Sequence, residues 1–288
     1  MSHLHNPFEP FDAALTAAMI GNIENALVED VGSGDVTGKL VPEHALVTAH
    51  VIVRDEAVLC GAPWFEGVMR RLDAGISIEW RYAEGAVMIA GSEVCVINAP
   101  ARALLTAERT ALNFLQLLSG VATATRRYVD VIAGTRAAIL DTRKTLPGMR
   151  LAQKYAVRVG GGKNQRLALY DGILIKENHI AAAGGVAAAL RAAFALDAGV
   201  PIQIEVESLP QLHDALAAGA VSVLLDNFTL DAMREAVILT KGRALLEASG
   251  GINMATVRAI AETGVDRISI GSLTKDIHAT DYSLRIIA

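Results

Sequence analysis

Cys60 and Cys95 are the only cysteines in 288 residues. They are too few for a disulfide framework and lack metal-ligand spacing, so the sequence predicts a chain of the reducing cytoplasm. No stretch reaches the roughly 18 uninterrupted apolar residues of a membrane span. Even the Ala-rich segment 181–198 is broken by Gly, Arg and Asp, and reads as one packed helix. Residues 1–10 are polar, with no apolar signal core. Net positive charge is missing too. A formal balance of −5 argues against a general nucleic-acid binder, though not against a local basic pocket. No GxGxxG follows the first strand of the repeating region, which counts against dinucleotide binding. His213 and His278 have no partners at metal spacing and read as structural, whereas His179 stays open.

Apolar residues are plentiful, at 52%, enough for a large core. The length suits about two domains at ~100–200 residues each. Residues 11–29 carry helix-spaced apolar positions, and 31–37 form a loop. Segments 45–53, 76–82 and 93–98 read as strands, with a helix over 63–72. Together they predict a small mixed α/β layer. Pro100 opens a helix to about residue 118 that contains Glu108 and Arg109, and a second helix covers 121–132. We place the domain boundary at 112, giving domains 1–112 and 113–275.

From 137 onward the pattern alternates strictly. Apolar runs at 137–140, 172–175, 201–206, 221–225, 244–246 and 267–270 enclose helical stretches at 149–159, 185–196, 209–218, 230–240 and 254–263. That is the signature of parallel βαβ units. Every run ends in polar residues or glycine. The first is followed by Asp141, Arg143 and Lys144, the second by Lys176-Glu-Asn-His179, and the third carries Glu205 and Glu207. The fourth ends in Asp226-Asn227, the fifth in Glu247-Ala-Ser-Gly-Gly251 and the sixth in Gly271-Ser272. α/β barrels build active sites at these strand ends and hold phosphate in the last loops, whereas an open sheet concentrates chemistry at one switch point. A barrel therefore explains the pattern better.

Each candidate has a plain structural alternative. Lys176 shares strand parity with Leu174 and is either functional or a rim lysine. Glu205 and Glu207 share parity with Gln203, a polar row unusual in a purely structural barrel strand. Asp226 could bind a metal, bind hydroxyls, or cap the next helix. Arg109 beside Glu108 reads as a surface ion pair, and Gly160-Gly-Gly162 as a helix stop. Arg143, Lys144, Arg166 and Lys176 suit a polyanion; Glu205 and Asp226 suit Mg²⁺ or sugar hydroxyls. On residues alone, a Schiff-base lysine enzyme and a non-catalytic phosphosugar-binding barrel also stay open.

The order and spacing of several motifs resemble the quinolinate phosphoribosyltransferase family. They are Glu29-Asp-Val-Gly-Ser-Gly-Asp-Val-Thr37, Glu108-Arg-Thr-Ala-Leu-Asn-Phe114 and Asp141-Thr-Arg-Lys-Thr-Leu-Pro-Gly148. Lys154-Tyr-Ala-Val157 with Gly160-Gly-Gly162, Leu174-Ile-Lys-Glu-Asn-His179, Leu225-Asp-Asn227, Ser249-Gly-Gly251 and Gly264-Val-Asp266 complete the set. The resemblance implies an N-terminal open α/β sandwich and an incomplete, seven-stranded parallel α/β barrel, with the tail 276–288 packing back on the first domain. It implies phosphoribosyl transfer from phosphoribosyl pyrophosphate to quinolinate with decarboxylation, Mg²⁺ and no organic cofactor. It also implies a homodimer or larger assembly, up to a hexamer, with shared sites. Carried over by position, Arg143, Arg166, Lys176 and a partner's residue matching Arg109 would meet quinolinate. Thr142 would join the substrate contacts and Lys144 would neutralise the pyrophosphate donor. Glu205 and Asp226 would hold ribose hydroxyls and Mg²⁺, directly or through water or substrate. Lys144, Lys176, Glu205 and Asp226 would be the catalytic set. Ser249, Gly250, Gly251 and Gly271 would cradle the 5-phosphate. One departure stands out: Gln165 occupies a position where the family usually has His. Gln donates a hydrogen bond but carries no proton, so a related acid as substrate also stays open.

Overall fold

The structure, a computed structural model, describes residues 4–287. Two compact units make up the chain. One comprises residues up to 126, 145–161 and from 274 onward; the other comprises 127–144 and 162–273.

The first unit begins with helix α1 (Ala13–Val31), started by Asp12, whose side chain accepts from Leu15 N–H at 2.7 Å. Strands β1 (Leu46–Val53) and β2 (Ala57–Val58), helix α2 (Ala62–Leu72) and strands β3 (Ser77–Trp80), β4 (Val87–Met88) and β5 (Glu93–Pro100) follow. β1 shows the period-2 burial of a one-sided sheet, with Ala49, Val51 and Val53 fully buried. Helix α3 runs unbroken from Ala101 to Val131, where the sequence suggested two helices. Gly120, the expected break, is instead a close approach: a Cβ there would run into the carbonyl of His278. Helical geometry tolerates one glycine at a cost of about 1 kcal/mol, and long helices on either side keep the register.

The second unit alternates as expected. It contains β6 (Ala138–Leu140), and after α4 (Arg150–Val159), which belongs to the first unit, come β7 (Ile173–Ile175), α5 (Glu177–Ala183) and α6 (Val186–Ala195). Then follow β8 (Ile202–Val206), α7 (Leu209–Ala217), β9 (Ser222–Asp226), α8 (Leu230–Thr240), β10 (Leu245–Ser249), α9 (Val257–Ala261) and β11 (Arg267–Ser269). The Ala-rich stretch is two helices, not one, because Gly184 and Gly185 take φ of 85° and 120°, which stops α5. A short helix α10 (Ser272–Lys275) leads to the last strand, β12 (Tyr282–Ile287).

In the first unit the antiparallel sheet runs β12-β1-β5-β3, so the C-terminal strand pairs with β1, Val53 opposite Tyr282. In the second, the parallel sheet runs β6-β11-β10-β9-β8-β7. The first strand lies against the last, so the sheet curls like a barrel. The sheet has six strands where seven were expected; an isolated parallel bridge joins Leu140 to Lys163, beside β6. Lys163 N–H donates to Ile139 O at 2.8 Å and Asp141 N–H to Lys163 O at 3.3 Å. The polar, Gly-rich segment 160–165 has no apolar side chains to extend this pairing.

The core of the first unit includes a ring cluster. Tyr155 of α4 meets Phe11 at 5.1 Å and Trp64 at 5.4 Å between centroids. Beneath it lies Glu84, 2% exposed. Its Oε1 accepts from Gly61 N–H (2.7 Å) and Tyr155 O–H (2.9 Å), and its Oε2 from Ala62 N–H (3.2 Å), at the start of α2. Burial outweighs these donors and lifts its pKa to about 7 from 4.5. Because the folded value lies above the unfolded one, this group's stabilisation is complete below pH 4.5 and is lost as pH rises through about 7. The loss is at most roughly 3 kcal/mol. Thermal melts from pH 5 to 8 should therefore show a downward slope in the wild type that Glu84→Gln flattens; equal slopes would remove Glu84 as the cause.

Candidate functional site

The strand ends of the second unit bring several of the expected residues onto one face. Register partners in a parallel sheet point the same way: Leu174 lies opposite Gln203, Glu205 opposite Leu224, Leu224 opposite Glu247, and Asp226 opposite Ser249. By alternation, Ile204 and Val206 face away and are fully buried, while Gln203 and Glu205 share the site face.

Asp141, fully buried at the end of β6, sets the local frame. Its carboxylate accepts from Gln165 N–H (2.9 Å) and Asn164 Nδ2 (2.6 Å). This hangs the segment before Arg166 beside the loop that bears Arg143 and Lys144. Arg166 Nη1 donates to Gly172 O at 2.9 Å. Its pKa is lowered, first by burial and then by the nearby Arg143, with Asp171 opposing. Two guanidinium groups close enough to repel through protein suit a planar dianion, which each can bind bidentately.

Lys144 is exposed, and Thr142 Oγ1 accepts its backbone N–H at 3.1 Å. Gly271 leaves it room, since a Cβ there would stand 3.0 Å from Lys144 Cδ. Gly271 has no left-handed φ, so space, rather than backbone freedom, explains this glycine.

Lys176 Nζ lies 3.8 Å from Glu205 Oε2. Lys176 sits at the N-cap of α5, and its backbone N–H donates to His179 Nδ1 at 3.0 Å. His179, open in the sequence, therefore braces the lysine's backbone. The Glu205 pKa is raised, chiefly by burial; Lys176 opposes this, and Asp226 adds to it. Asp226 Oδ2 accepts from Asn227 Nδ2 at 2.8 Å. The capping reading for Asp226 is replaced: α8 is capped by Thr229, which accepts from Ala232 N–H at 3.2 Å. Asn227 takes a left-handed φ of 55°, and its N–H donates to Ser249 O at 3.0 Å. Gly250 and Gly251 follow at φ 101° and 59°, and any side chain on Gly250 would collide with Asn227 Oδ1. Successive backbone N–H groups in such turns form anion-binding concavities.

Thr142, Arg143, Lys144, Gln165, Arg166, Lys176, Glu205, Asp226, Ser249, Gly250, Gly251 and Gly271 all belong to the second unit; Arg109 belongs to the first. Arg109 is exposed on α3, and Glu108 beside it has a pKa raised by burial and lowered by that arginine. The motif 141–148 is divided between the units after Lys144. In the first unit, Leu146 N–H donates to Gln153 Oε1 (2.8 Å), while Gln153 Nε2 donates to Thr274 O (2.9 Å). Leu146, to which the sequence gives no role, thus anchors the motif's far half. The first-unit motifs also meet: Thr110 Oγ1 donates to Asp30 (3.0 Å) and Thr106 Oγ1 to Asp35 (2.9 Å). The Gly38 N–H and then this hydroxyl lower the Asp35 pKa. Asp141, Gln203 and Glu247 are polar residues of the site that sequence reasoning named at strand ends or in a polar row but gave no role. Their one signal was polarity within or beside an apolar strand.

Among the described residues no group of three or more His, Cys, Asp or Glu side chains could hold a metal ion. No helix among them is long and apolar enough to cross a membrane.

Known proteins resemble this chain in sequence and fold. The pattern of the quinolinate phosphoribosyl transferase N-terminal domain matches residues 35–119, and that of the C-terminal domain matches 121–285. The carboxylating nicotinate-nucleotide pyrophosphorylase of Mycobacterium leprae (strain TN) is 43% identical, over 95% of this chain and 97% of its own. The decarboxylating quinolinate phosphoribosyltransferase 1b of Nicotiana tabacum is 37% identical, over 92% of this chain and 81% of its own. A solved structure of the nicotinate-nucleotide pyrophosphorylase from Francisella tularensis superposes with a TM-score of 0.92 at 44% identity, covering 94% of this chain and 96% of that one.

Proposed function

The chain belongs to the quinolinate phosphoribosyltransferase family, and from that membership we propose how its strand-end residues divide the work. The reaction is transfer of phosphoribose from phosphoribosyl pyrophosphate to quinolinate with loss of CO₂, giving nicotinate mononucleotide and pyrophosphate in NAD biosynthesis. The observation that carries the division is a cationic corner, Arg143 against Arg166, beside a separate carboxylate pair, Glu205 and Asp226.

Arg143 and Arg166 bind the dicarboxylate and turn its ring nitrogen toward the ribose, with Lys176 at the same acid and Gln165 as a neutral donor. Thr142 holds the Lys144 backbone, and Lys144 meets the pyrophosphate as negative charge gathers on it. Glu205 and Asp226 face the ribose, where their charge favours the cation-like ring at the anomeric carbon. The C–O bond to pyrophosphate breaks as the N–C bond forms. The electron pair released when the adjacent carboxylate leaves as CO₂ stays on that ring carbon, stabilised by the neighbouring pyridinium charge, and a proton from water then replaces the lost carboxylate, so no organic cofactor is needed. Ser249, Gly250, Gly251 and Gly271 offer backbone N–H groups to the 5-phosphate.

Glu205 and Asp226 offer hard oxygen ligands, and Mg²⁺ keeps waters and substrate oxygens in its shell rather than demanding a protein cage. Glu205 and Asp226 would hold it, and its charge would then offset that of the departing pyrophosphate. We also propose a homodimer or larger assembly in which Arg109 serves the neighbouring subunit's site, and a cytoplasmic setting, supported by two buried, unbridged cysteines. No membrane or nucleic-acid partner enters this reading. Supplying quinolinate, phosphoribosyl pyrophosphate and Mg²⁺ should release CO₂ and pyrophosphate in equal amounts. Release of neither from quinolinate would instead mean that another acid is the substrate.

A further inference from the structure

Glu247, 1% exposed in the middle of β10, has a fully buried Oε1 with no hydrogen-bond partner among the described residues. A buried carboxylate with an unsatisfied oxygen is destabilising, and an apolar side chain of similar size would serve a purely structural strand better. Its other oxygen, Oε2, accepts from Gln203 Nε2 at 2.9 Å. Gln203 Oε1 in turn accepts from Gln165 Nε2 at 2.7 Å, and Gln165 Oε1 accepts from Arg166 N–H at 2.5 Å. The run therefore has one direction: each amide donates toward Glu247. A carboxylate can only accept, whereas either amide could work in both senses if flipped. Glu247, which only accepts, and Arg166 N–H, which only donates, fix from opposite ends which way both amides point.

We propose that Glu247 is a positioning residue for the acid substrate, acting through Gln203 to hold the Gln165 carbonyl on Arg166 N–H. It braces residues 165–166 from the strand floor while Asp141 holds Gln165 N–H from the other side. This rests on the assignment of Arg143 and Arg166 to quinolinate.

The test is a split between the two KM values in the full-length enzyme. Glu247→Gln keeps size and an acceptor but removes the acceptor-only end of the run; it should raise KM for quinolinate about threefold and leave that for phosphoribosyl pyrophosphate unchanged. Gln203→Leu with Glu247→Leu removes both partners without stranding either, and should raise quinolinate KM about tenfold, again selectively. Arg166→Ala is the control for the assignment, and a selective rise in quinolinate KM is expected there. If Arg166→Ala leaves that KM unchanged, the assignment falls and the proposal with it. If it raises KM while folded Glu247→Gln and the folded double variant both keep wild-type constants, the positioning role alone falls. An equal rise in both KM values also overturns it, since general loosening would not discriminate between substrates. Should the double variant not fold, Glu247→Gln decides by the same criteria.

Discussion

Lys144→Ala should lower kcat by about 10²–10³, the range for loss of one preorganised group that meets charge developing in a transition state. The expectation rests on how the lysine is held. Thr142 Oγ1 fixes its backbone, and the missing side chain at Gly271 gives its aliphatic stem a place to lie. Such a group needs little reorganisation when pyrophosphate departs. Lys144 is exposed, so its removal leaves no buried cavity, and circular dichroism and melting temperature should stay at wild-type values. Lys144→Arg should recover only part of the rate, because a planar fork does not replace a compact ammonium in a pocket shaped by Gly271. Steady-state release of pyrophosphate measures both. A kcat within threefold of wild type in Lys144→Ala would take this residue out of the chemistry and leave it a rim cation.

Much of this site was legible because strand periodicity is local. Largely apolar runs of three to six residues, each closed by a polar residue or glycine, marked β6 to β11 and placed Arg143, Lys176, Glu205, Asp226 and Ser249 in or just after them. Features set by distant partners were not legible. Gly120 looks like a helix break until the His278 carbonyl lies against it. Lys163 makes a single bridge, which has no period to detect. Glu247 reads as one polar residue in Leu-Leu-Glu-Ala-Ser; its meaning comes from Gln203, 44 residues away, and from Gln165, a further 38. The motif 141–148 reads as one unit yet divides between two, because Leu146 is tied to Gln153 while Asp141 is tied to 164–165. No linker marks the division near 126, since α3 runs straight across it.

The second large effect comes from mixing two inactive chains. If each site takes Lys176 from one subunit and Arg109 from its neighbour, Arg109→Ala and Lys176→Ala homodimers are both impaired at every site. In a heterodimer the arithmetic differs. The site of the Arg109→Ala chain keeps its own Lys176 and receives Arg109 from the other subunit, so it is complete. The remaining site lacks both. An equal mixture that exchanges freely holds half heterodimers with one good site of two, and should recover about one quarter of wild-type activity by the symmetry of a twofold dimer. Each parent alone should retain at most about 1%, as expected when a charged contact to a desolvated substrate carboxylate is lost. Arg109 is exposed on α3 and Lys176 on the strand-end rim, so neither alanine removes buried packing and the chains should still associate. Heterodimers verified by two different affinity tags make the outcome decisive. Recovery near one quarter means that Arg109 acts across the subunit boundary. No recovery in a verified heterodimer means that both residues serve the same chain, and the site would then be complete within one subunit.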